Sequence, residues 1–260
     1  MEKELWGTIR LEEKNTHFVH VGDLYLWLMY RDTEIWIAHC YSGEISARVD
    51  EEEPPGEAHW VRWACKSGHD RVQIFPVFAN LPLIVQPEYL LKVGPRNEIQ
   101  IFCRIPVWIS ISLASDHYTL IELPVTKMSK TWFGTRLEGE FCYHTITKAR
   151  RNISHLKPEP HLVVCPITIS NQSSEALDFE SFCLRAERLG IYRHEETLWS
   201  DETQMTYRGK EHHSDVIMTG KPPKGISDHV QLAKPRKKIH ASLTTRTFKR
   251  LFEDTDILGS

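Results

Sequence analysis

The chain has 260 residues, of which 41% are hydrophobic and 26% are charged, a balance typical of a folded globular protein rather than a disordered one. Its formal net charge of −3 is too small to produce a long-range field, so the composition indicates neither nucleic acid nor a membrane as a partner. No stretch approaches the roughly 20 apolar residues that a membrane-spanning helix requires, and residues 1–11 carry charges instead of a signal-peptide core. We therefore expect a cytoplasmic protein with no membrane span.

Residues 24–78 alternate between strand-like segments and turns. Residues 24–30 and 34–41 are apolar segments separated by three turn residues, which predicts a β-hairpin. After an acidic, proline-containing loop at residues 50–56, residues 58–65 and 71–78 predict two further strands. Short strands with turn signals at short intervals are typical of a β-sandwich or an open barrel.

Residues 99–113 have the strongest strand pattern in the chain. Every odd-numbered position is apolar and most even-numbered positions are polar, which predicts an extended chain with one face on a core. An extended segment of this length spans about 50 Å and is much longer than an ordinary strand. Pro106 cannot donate a hydrogen bond to a neighbouring strand, so we expect either one strand bent there or two strands in line.

A candidate linker follows at residues 148–160, which lose the alternation and gain charges and two prolines. Beyond it, residues 161–170 and 177–184 predict a second hairpin. No segment up to this point has an apolar period of 3.6. We therefore predict an all-β protein of β-sandwich architecture with little helix, made of two β domains at residues 1–155 and 156–260.

The even-numbered face of residues 99–113 is a candidate binding surface, because it carries Phe102, Arg104 and Trp108 on a strand that is otherwise built for burial. A carbohydrate site is a second hypothesis, since tryptophan rings offer stacking surface, although packing in a core explains such rings equally well. The tryptophans considered for this role are Trp6, Trp60, Trp63, Trp108, Trp132 and Trp199.

Candidate metal ligands lie close together at His212, His213 and Asp215. Adjacent residues on a strand point to opposite faces, and a structural zinc would call for thiolates nearby, so we prefer to interpret this cluster as an exposed polar turn. The six cysteines are spread singly with no CxxC pair, and in a reducing compartment we expect them to be small buried thiols. We predict no metal and no cofactor.

A basic stretch near the C-terminus contains no acidic residue and lacks the interleaved aromatic residues of a single-strand binding platform. Binding to phosphates or anionic lipid is one interpretation; a solvated edge strand, whose lysines discourage edge-to-edge pairing, is the other. We favour the edge strand and do not expect a nucleic-acid partner. The basic residues are Lys234, Arg236, Lys237, Lys238, Arg246, Lys249 and Arg250.

Catalytic signatures are missing from the sequence: it has no GxSxG, P-loop, GxGxxG, HExxH or protein-kinase pattern. The leading hypothesis is therefore a non-enzymatic binding or regulatory module that engages a protein partner or a second copy of the chain. The alternative is an enzyme or a small-ligand binder, of carbohydrate or metal, with its site in the cleft between the two domains.

Short motifs are distributed along most of the chain. They are Lys92-Val93-Gly94-Pro95, Trp132-Phe133-Gly134 and Gly139-Glu140-Phe141-Cys142-Tyr143, together with residues 81–85, 99–101, 106–111 and 166–171. In this combination they resemble an uncharacterised prokaryotic family, the domain of unknown function DUF432. The resemblance implies a β-rich fold and brings no known activity, cofactor or site residue with it.

Overall fold

The computed structural model describes residues 5–13, 15–45, 48–134, 139–154, 158–209, 214–238 and 243–245. Within these ranges the helical elements are two three-residue 3₁₀ turns, Ser42–Glu44 and Ala186–Arg188, and the rest of the regular structure is strand. The predicted all-β class is confirmed. No helix in the described ranges has the length and apolar character needed to cross a membrane.

Most strands are short, as expected for a chain with frequent turn signals. In chain order they are β1 (Gly7–Arg10), β2 (Thr16–Val21), β3 (Leu24–Arg31), β4 (Glu34–Tyr41), β5 (His59–Ala64), β6 (Arg71–Val77), β7 (Leu83–Val85), β8 (Leu91–Val93), β9 (Glu98–Pro106), β10 (Trp108–Leu113), β11 (Thr119–Pro124), β12 (Ser129–Gly134), β13 (Gly139–His144), β14 (Leu162–Asn171), β15 (Leu177–Phe179), β16 (Phe182–Leu184), β17 (Ile191–His194), β18 (Thr197–Ser200), β19 (Thr203–Tyr207), β20 (Ser214–Met218), β21 (Val230–Ala233) and β22 (Leu243–Thr245).

The chain forms two compact units. The first unit consists of Met1–Val77 and Pro106–Lys127, and the second unit consists of Phe78–Ile105 and Met128–Ser260. Each unit is therefore built from segments that are separated in the sequence. The domain boundary near residue 155 stays a prediction, because a compact unit and an independently folding domain are different properties.

The first unit contains two four-stranded antiparallel sheets, in the orders β1-β6-β10-β11 and β2-β3-β4-β5. Strands β3 and β4 form the predicted hairpin, and its two turn residues, Asp32 and Thr33, both have positive φ. Two left-handed residues in a two-residue loop make the turn whose twist matches that of paired strands. The first unit thus has the two sheets that the predicted sandwich requires.

The long alternating segment at residues 99–113 becomes two strands in different sheets. Strand β9 ends at Pro106 and pairs with β14, whereas β10 begins at Trp108 and pairs with β6 and β11. The interruption predicted at Pro106 is confirmed, and of the two predicted forms it is two strands. Its odd-numbered side chains pack inward on both sides of the break. The fully buried ones are Ile101, Cys103, Ile105, Val107, Ile109 and Ile111.

The second unit is organised around strand β14 in an eight-stranded sheet. Strands β18 and β19 both pair with β14 in parallel, and β9 pairs with it as well. Strands β17 and β20 add to β18 and β19 in antiparallel orientation, and β21 and β22 extend them. The same unit holds a four-stranded sheet, β12-β13-β7-β16, and the pair β15-β8.

Asn171, at the end of β14, is a buried polar anchor with 1% of its surface exposed. Its Nδ2 amide lies 2.8–3.0 Å from the carbonyl oxygens of Val93, Gly94 and Glu175. Its Oδ1 accepts hydrogen bonds from the backbone N–H and the hydroxyl of Ser173. One side chain therefore satisfies polar groups of β8, of the turn after β14 and of the following loop.

Replacing Asn171 by alanine should lower the free energy of unfolding by about 2–4 kcal/mol, because several buried polar groups lose their partner at once. Chemical denaturation followed by circular dichroism measures this loss. Asn15→Ala is the matched control, since Asn15 is exposed and bonds only to Glu12 among the described residues; its effect should stay within about 0.5 kcal/mol. Equal effects of the two substitutions would show that Asn171 is not an anchor.

Candidate functional site

A groove of about 820 Å³ lies on one face of the eight-stranded sheet of the second unit. We call it the sheet-face groove. Its volume falls in the range of about 300–1,000 Å³ that ligand pockets usually occupy. It is lined by Glu98, Gln100, Phe102, Ile153, Thr168, Ser170, Gln172, His194, Trp199, Glu202, Gln204, Met205, Thr206 and residues 223–226.

Strand alternation explains why the floor of the sheet-face groove is polar. On β14, Ile167 and Ile169 are buried, so the residues between and beyond them, Thr168 and Ser170, face the opposite side. On β19, Gln204 pairs with Thr168 and Thr206 pairs with Ser170. β9 contributes its own even-numbered residues, Glu98, Gln100 and Phe102, at the other side of β14.

A one-residue bulge lets β18 and β19 present residues to the same face. Val164 lies opposite Trp199, and Thr168 lies opposite Gln204, so the offset between partners increases by one residue from β18 to β19. Trp199 and Gln204 have opposite parity and would face opposite sides of a regular strand. The extra residue between Trp199 and Thr203 restores a shared face, as β-bulges do where a side chain must be redirected.

Two consecutive carboxylates hold the bulge on its two sides. Asp201 is 1% exposed, and its Oδ2 accepts the backbone N–H of Gly190 at 2.9 Å. Burial raises the pKa of Asp201, and the hydrogen bonds from Gly190 and Tyr192 act in the opposite direction. Glu202 points into the sheet-face groove, where its Oε1 accepts the hydroxyl of Thr168 at 2.8 Å.

Two ring nitrogens on residues that line the groove are buried and have no hydrogen-bond partner in the described part of the chain. They are Nδ1 of His194, on β17, and Nε1 of Trp199, on the neighbouring strand β18. A buried polar group without a partner costs about 1–3 kcal/mol, and such groups in a folded protein are candidates for a functional role. Both nitrogens are enclosed by the protein, so a ligand oxygen reaches them only after the rings turn toward the groove.

The charge of the sheet-face groove is slightly negative. Among its lining residues the carboxylates are Glu98 and Glu202, and the permanent cation is Lys224. A surface of this composition repels a polyanion and does not discriminate strongly against a neutral ligand. Phosphate-rich ligands are consequently a poor match.

The three predicted binding residues lie in different places. Phe102 lines the sheet-face groove. Arg104, on the same strand, forms an ion pair with Glu159 at 2.8 Å. Trp108 lies on β10 in the first unit, after the break at Pro106, so the structure assigns these residues to two units. Their common role as a binding face stays a prediction.

Of the candidate metal ligands His212, His213 and Asp215, the two histidines lie outside the described residues. Asp215 lies on β20 and forms an ion pair with Arg208 at 2.7 Å. Across the ranges that the structure describes, no group of three histidine, cysteine, aspartate or glutamate side chains is arranged to hold a metal ion.

Part of the basic stretch is occupied by contacts within the protein. The backbone N–H of Lys237 donates to the carbonyl oxygen of Glu187 at 3.0 Å, and the side chain of Arg236 donates to the carbonyl oxygen of Phe78. Arg188 in turn donates to the carbonyl oxygen of Lys238. Lys234 is exposed, and Arg246, Lys249 and Arg250 lie outside the described residues.

Of the tryptophans considered for stacking, Trp199 is the one that lines the sheet-face groove. Trp6 is buried, whereas Trp60 and Trp132 are 45% and 43% exposed on other sheets.

The polar floor of the sheet-face groove was not predicted from the sequence, because Thr168, Ser170, Gln204 and Thr206 are ordinary polar residues of alternating strands. A signal was present in residues 198–205, where the buried positions shift from even numbers (Leu198) to odd numbers (Met205).

All six cysteines are free thiols; five are buried and Cys65 is half-buried. The Sγ atoms of Cys142 and Cys183 lie 3.2 Å apart, and the hydrogen bond with Cys142, together with burial, raises the pKa of Cys183 far above its ordinary value. A thiol that stays protonated and buried is a poor nucleophile. The expectation of small buried thiols is thus confirmed for five of the six.

An aromatic disulfide reagent such as DTNB should label at most one cysteine per folded chain at pH 7, and all six after denaturation, because only Cys65 is accessible. Absorbance of the released thiolate counts the labelled groups. Cys65→Ser should abolish labelling of the folded protein. Rapid labelling of two or more thiols in the folded protein would contradict this assignment.

The raised pKa of Asp201 makes stability depend on pH. Since burial lifts the pKa of Asp201 in the folded state above its ordinary value of 3.8, the contribution of Asp201 to stability is present below pH 3.8 and is lost as pH rises through the folded-state pKa. Asp201→Asn cannot ionise and keeps an acceptor for Gly190. In thermal melts between pH 4 and pH 8, the melting temperature of the variant should therefore increase relative to that of the wild type as pH rises.

Asp70→Asn is the control for this measurement, because Asp70 is bonded to Arg10, which lowers the pKa of the Asp70 carboxyl. The expected pH dependence has the opposite sign: the melting temperature of the wild type should increase relative to that of Asp70→Asn as pH rises. The change should be small, since the ion pair is at the surface. A constant difference between wild type and Asp201→Asn at every pH would show that Asp201 titrates normally.

Comparison with known proteins gives one match. The model of the family described as "Protein of unknown function (DUF432)" matches residues 5–253. No curated protein and no solved structure is similar enough to count as a match. The match extends over nearly the whole chain and includes every strand that carries the sheet-face groove. The chain belongs to the DUF432 family.

Proposed function

We propose that this protein is a non-enzymatic binding module and that the sheet-face groove is its binding site. The observation that carries the proposal is the polar face of a continuous sheet, at one end of which two ring nitrogens are buried without a hydrogen-bond partner in the described part of the chain. This site lies within the second unit rather than between two domains. A cytoplasmic location, expected from the sequence, is part of the proposal.

Binding is favoured over catalysis by the spacing of the reactive groups. His194 and Trp199 lie at the level of Val164 on β14 or beyond it, whereas Ser170 lies six residues further along the same strand. Six extended residues span about 20 Å, so His194 is far outside the ~3 Å at which a general base acts on a hydroxyl. Glu202 does accept the hydroxyl of Thr168 at 2.8 Å, and we interpret this bond as part of the support of the bulge.

Crystals soaked with small fragments of several classes test this proposal directly. The fragments are polyols, amides, carboxylates and aromatic amines, and we expect at least one class to occupy the sheet-face groove. Ser170→Phe should block the groove, because position 170 is on its floor. Ser129→Phe, on the exposed edge strand β12, is the matched control and should leave fragment binding intact. Fragments found only at other surfaces would overturn the proposal.

A protein partner, the leading hypothesis from the sequence, is the second candidate, and a separate surface favours it. Trp132 and Phe141 face each other across β12 and β13 with ring centroids 5.3 Å apart. Phe141 is 62% exposed, and β12 lies at one end of its sheet. Exposed aromatic residues of this kind are enriched at protein interfaces.

If this aromatic pair mediates self-association, the mass in solution should rise with protein concentration, and Phe141→Ser should abolish the rise. Light scattering coupled to size exclusion measures the mass. Tyr89→Ser is the control, because Tyr89, at 79% exposed, is more accessible than Phe141 and lies outside β12 and β13. A wild-type protein that is monomeric at every concentration would exclude a homo-oligomer formed through this surface.

A further inference from the structure

The sheet-face groove has the chemistry of a site for one ligand class. We infer that it binds a neutral oligosaccharide, a chain of uncharged sugar residues, lying along β14. The inference rests on the proposed function, because it names the ligand of the same site. Its support comes from the hydrogen-bonding groups, the aromatic rings, the length and the charge of the groove.

The hydrogen-bonding groups of the groove are mainly neutral and can both donate and accept. The side-chain amides of Gln100, Gln172 and Gln204 and the hydroxyls of Ser170 and Thr206 line it. An amide group or a hydroxyl matches a sugar hydroxyl, which also donates and accepts. A ligand that can only accept, or only donate, would leave part of the hydrogen-bonding capacity of these groups unused.

Two half-buried aromatic rings accompany the polar floor. Phe102 lies on β9, and Trp199 lies on β18, on the other side of β14. Aromatic rings offer flat apolar faces on which the C–H groups of a sugar ring can pack, and the indole N–H is a donor for a sugar oxygen. Nε1 of Trp199 is buried and has no partner in the described part of the chain, and a turn of the indole ring toward the groove would offer this donor to the ligand.

The floor is long enough for a chain rather than a single sugar. Trp199 lies opposite Val164 and Thr206 lies opposite Ser170. These two levels are six residues apart on β14, about 20 Å along an extended strand. An oligosaccharide that runs along β14 therefore meets Trp199 near one end and Thr206 near the other.

The charge of the groove separates neutral chains from anionic ones. Glu98 and Glu202 face it with one lysine, Lys224. A sulfated or carboxylated saccharide would bring further negative charge to these carboxylates, which is unfavourable in a partly desolvated site. A cationic chain, such as an oligolysine peptide, is the competing ligand that the charge alone permits.

Isothermal titration calorimetry with defined chains tests the inference. The neutral probes are cellohexaose, maltohexaose, chitohexaose and mannohexaose; the charged probes are a heparin hexasaccharide and hexalysine. We expect at least one neutral hexasaccharide to bind with a dissociation constant below about 1 mM, and the heparin chain not to bind. Preferential binding of hexalysine or of the heparin chain would overturn the inference.

Variants of the floor and of the ring locate the bound chain. Gln204→Ala and Trp199→Phe should each weaken binding of the neutral hexasaccharide by about threefold to tenfold, since each removes one or two hydrogen bonds. Gln231→Ala and Trp60→Phe are matched controls, because both residues are exposed and lie outside the groove. If all four variants bind equally well, the chain binds elsewhere and the inference is wrong.

The crystal soaks and the titrations together separate a wrong ligand class from a wrong binding site. If fragments occupy the sheet-face groove in crystals but no neutral hexasaccharide binds in solution, the site is correct and the ligand class is wrong. If nothing occupies the groove in crystals and hexasaccharides do not bind, both are wrong. Thermal unfolding of each variant, compared with the wild type, confirms that a loss of binding is not a loss of folding.

Discussion

The candidate site depends on a one-residue bulge between β18 and β19. Both strands run parallel to β14, and the extra residue lets Trp199 and Gln204 share a face although their numbers have opposite parity. Asp201 secures the bulge on the buried side through Gly190, and Glu202 secures it on the groove side through Thr168. Without the extra residue, Trp199 would face the core, and the groove would lose an aromatic wall and a donor.

Strand β14 links this local feature to the stability of the second unit. It has parallel partners on one side and β9 on the other, and its odd-numbered residues, such as Ile167 and Ile169, are fully buried. At its end, Asn171 bonds to β8 and to the loop that follows. The polar face of β14 is therefore held rigid by a core on its other face, and a preorganised surface binds a ligand with less loss of conformational entropy.

The sequence was sufficient to predict many of the strands and buried faces but not the strand pairing or the site. The hairpin predicted for residues 161–170 and 177–184 is wrong, because β15 pairs with β8 and β16 pairs with β7, whereas β14 pairs with β18, β19 and β9. The odd-numbered positions between Ile101 and Ile111 are buried, and the break at Pro106 is where expected, because alternation and proline chemistry are local properties. The sheet-face groove brings together residues between positions 98 and 226, and which strands become neighbours depends on long-range pairing. The parity change at the bulge is visible in the sequence only once the core face is known.

The indole N–H resonance of Trp199, assigned with the Trp199→Phe variant, provides the most direct test of the central claim that the bulge places this ring in the wall of the sheet-face groove, where its N–H turns to a bound ligand. In the free protein we expect the chemical shift of an indole N–H without a hydrogen bond. Adding cellohexaose or chitohexaose should move this resonance downfield, as a ligand oxygen accepts the hydrogen bond. A resonance that is already hydrogen-bonded in the free protein, or that does not move with any ligand bound in the sheet-face groove, would contradict the claim.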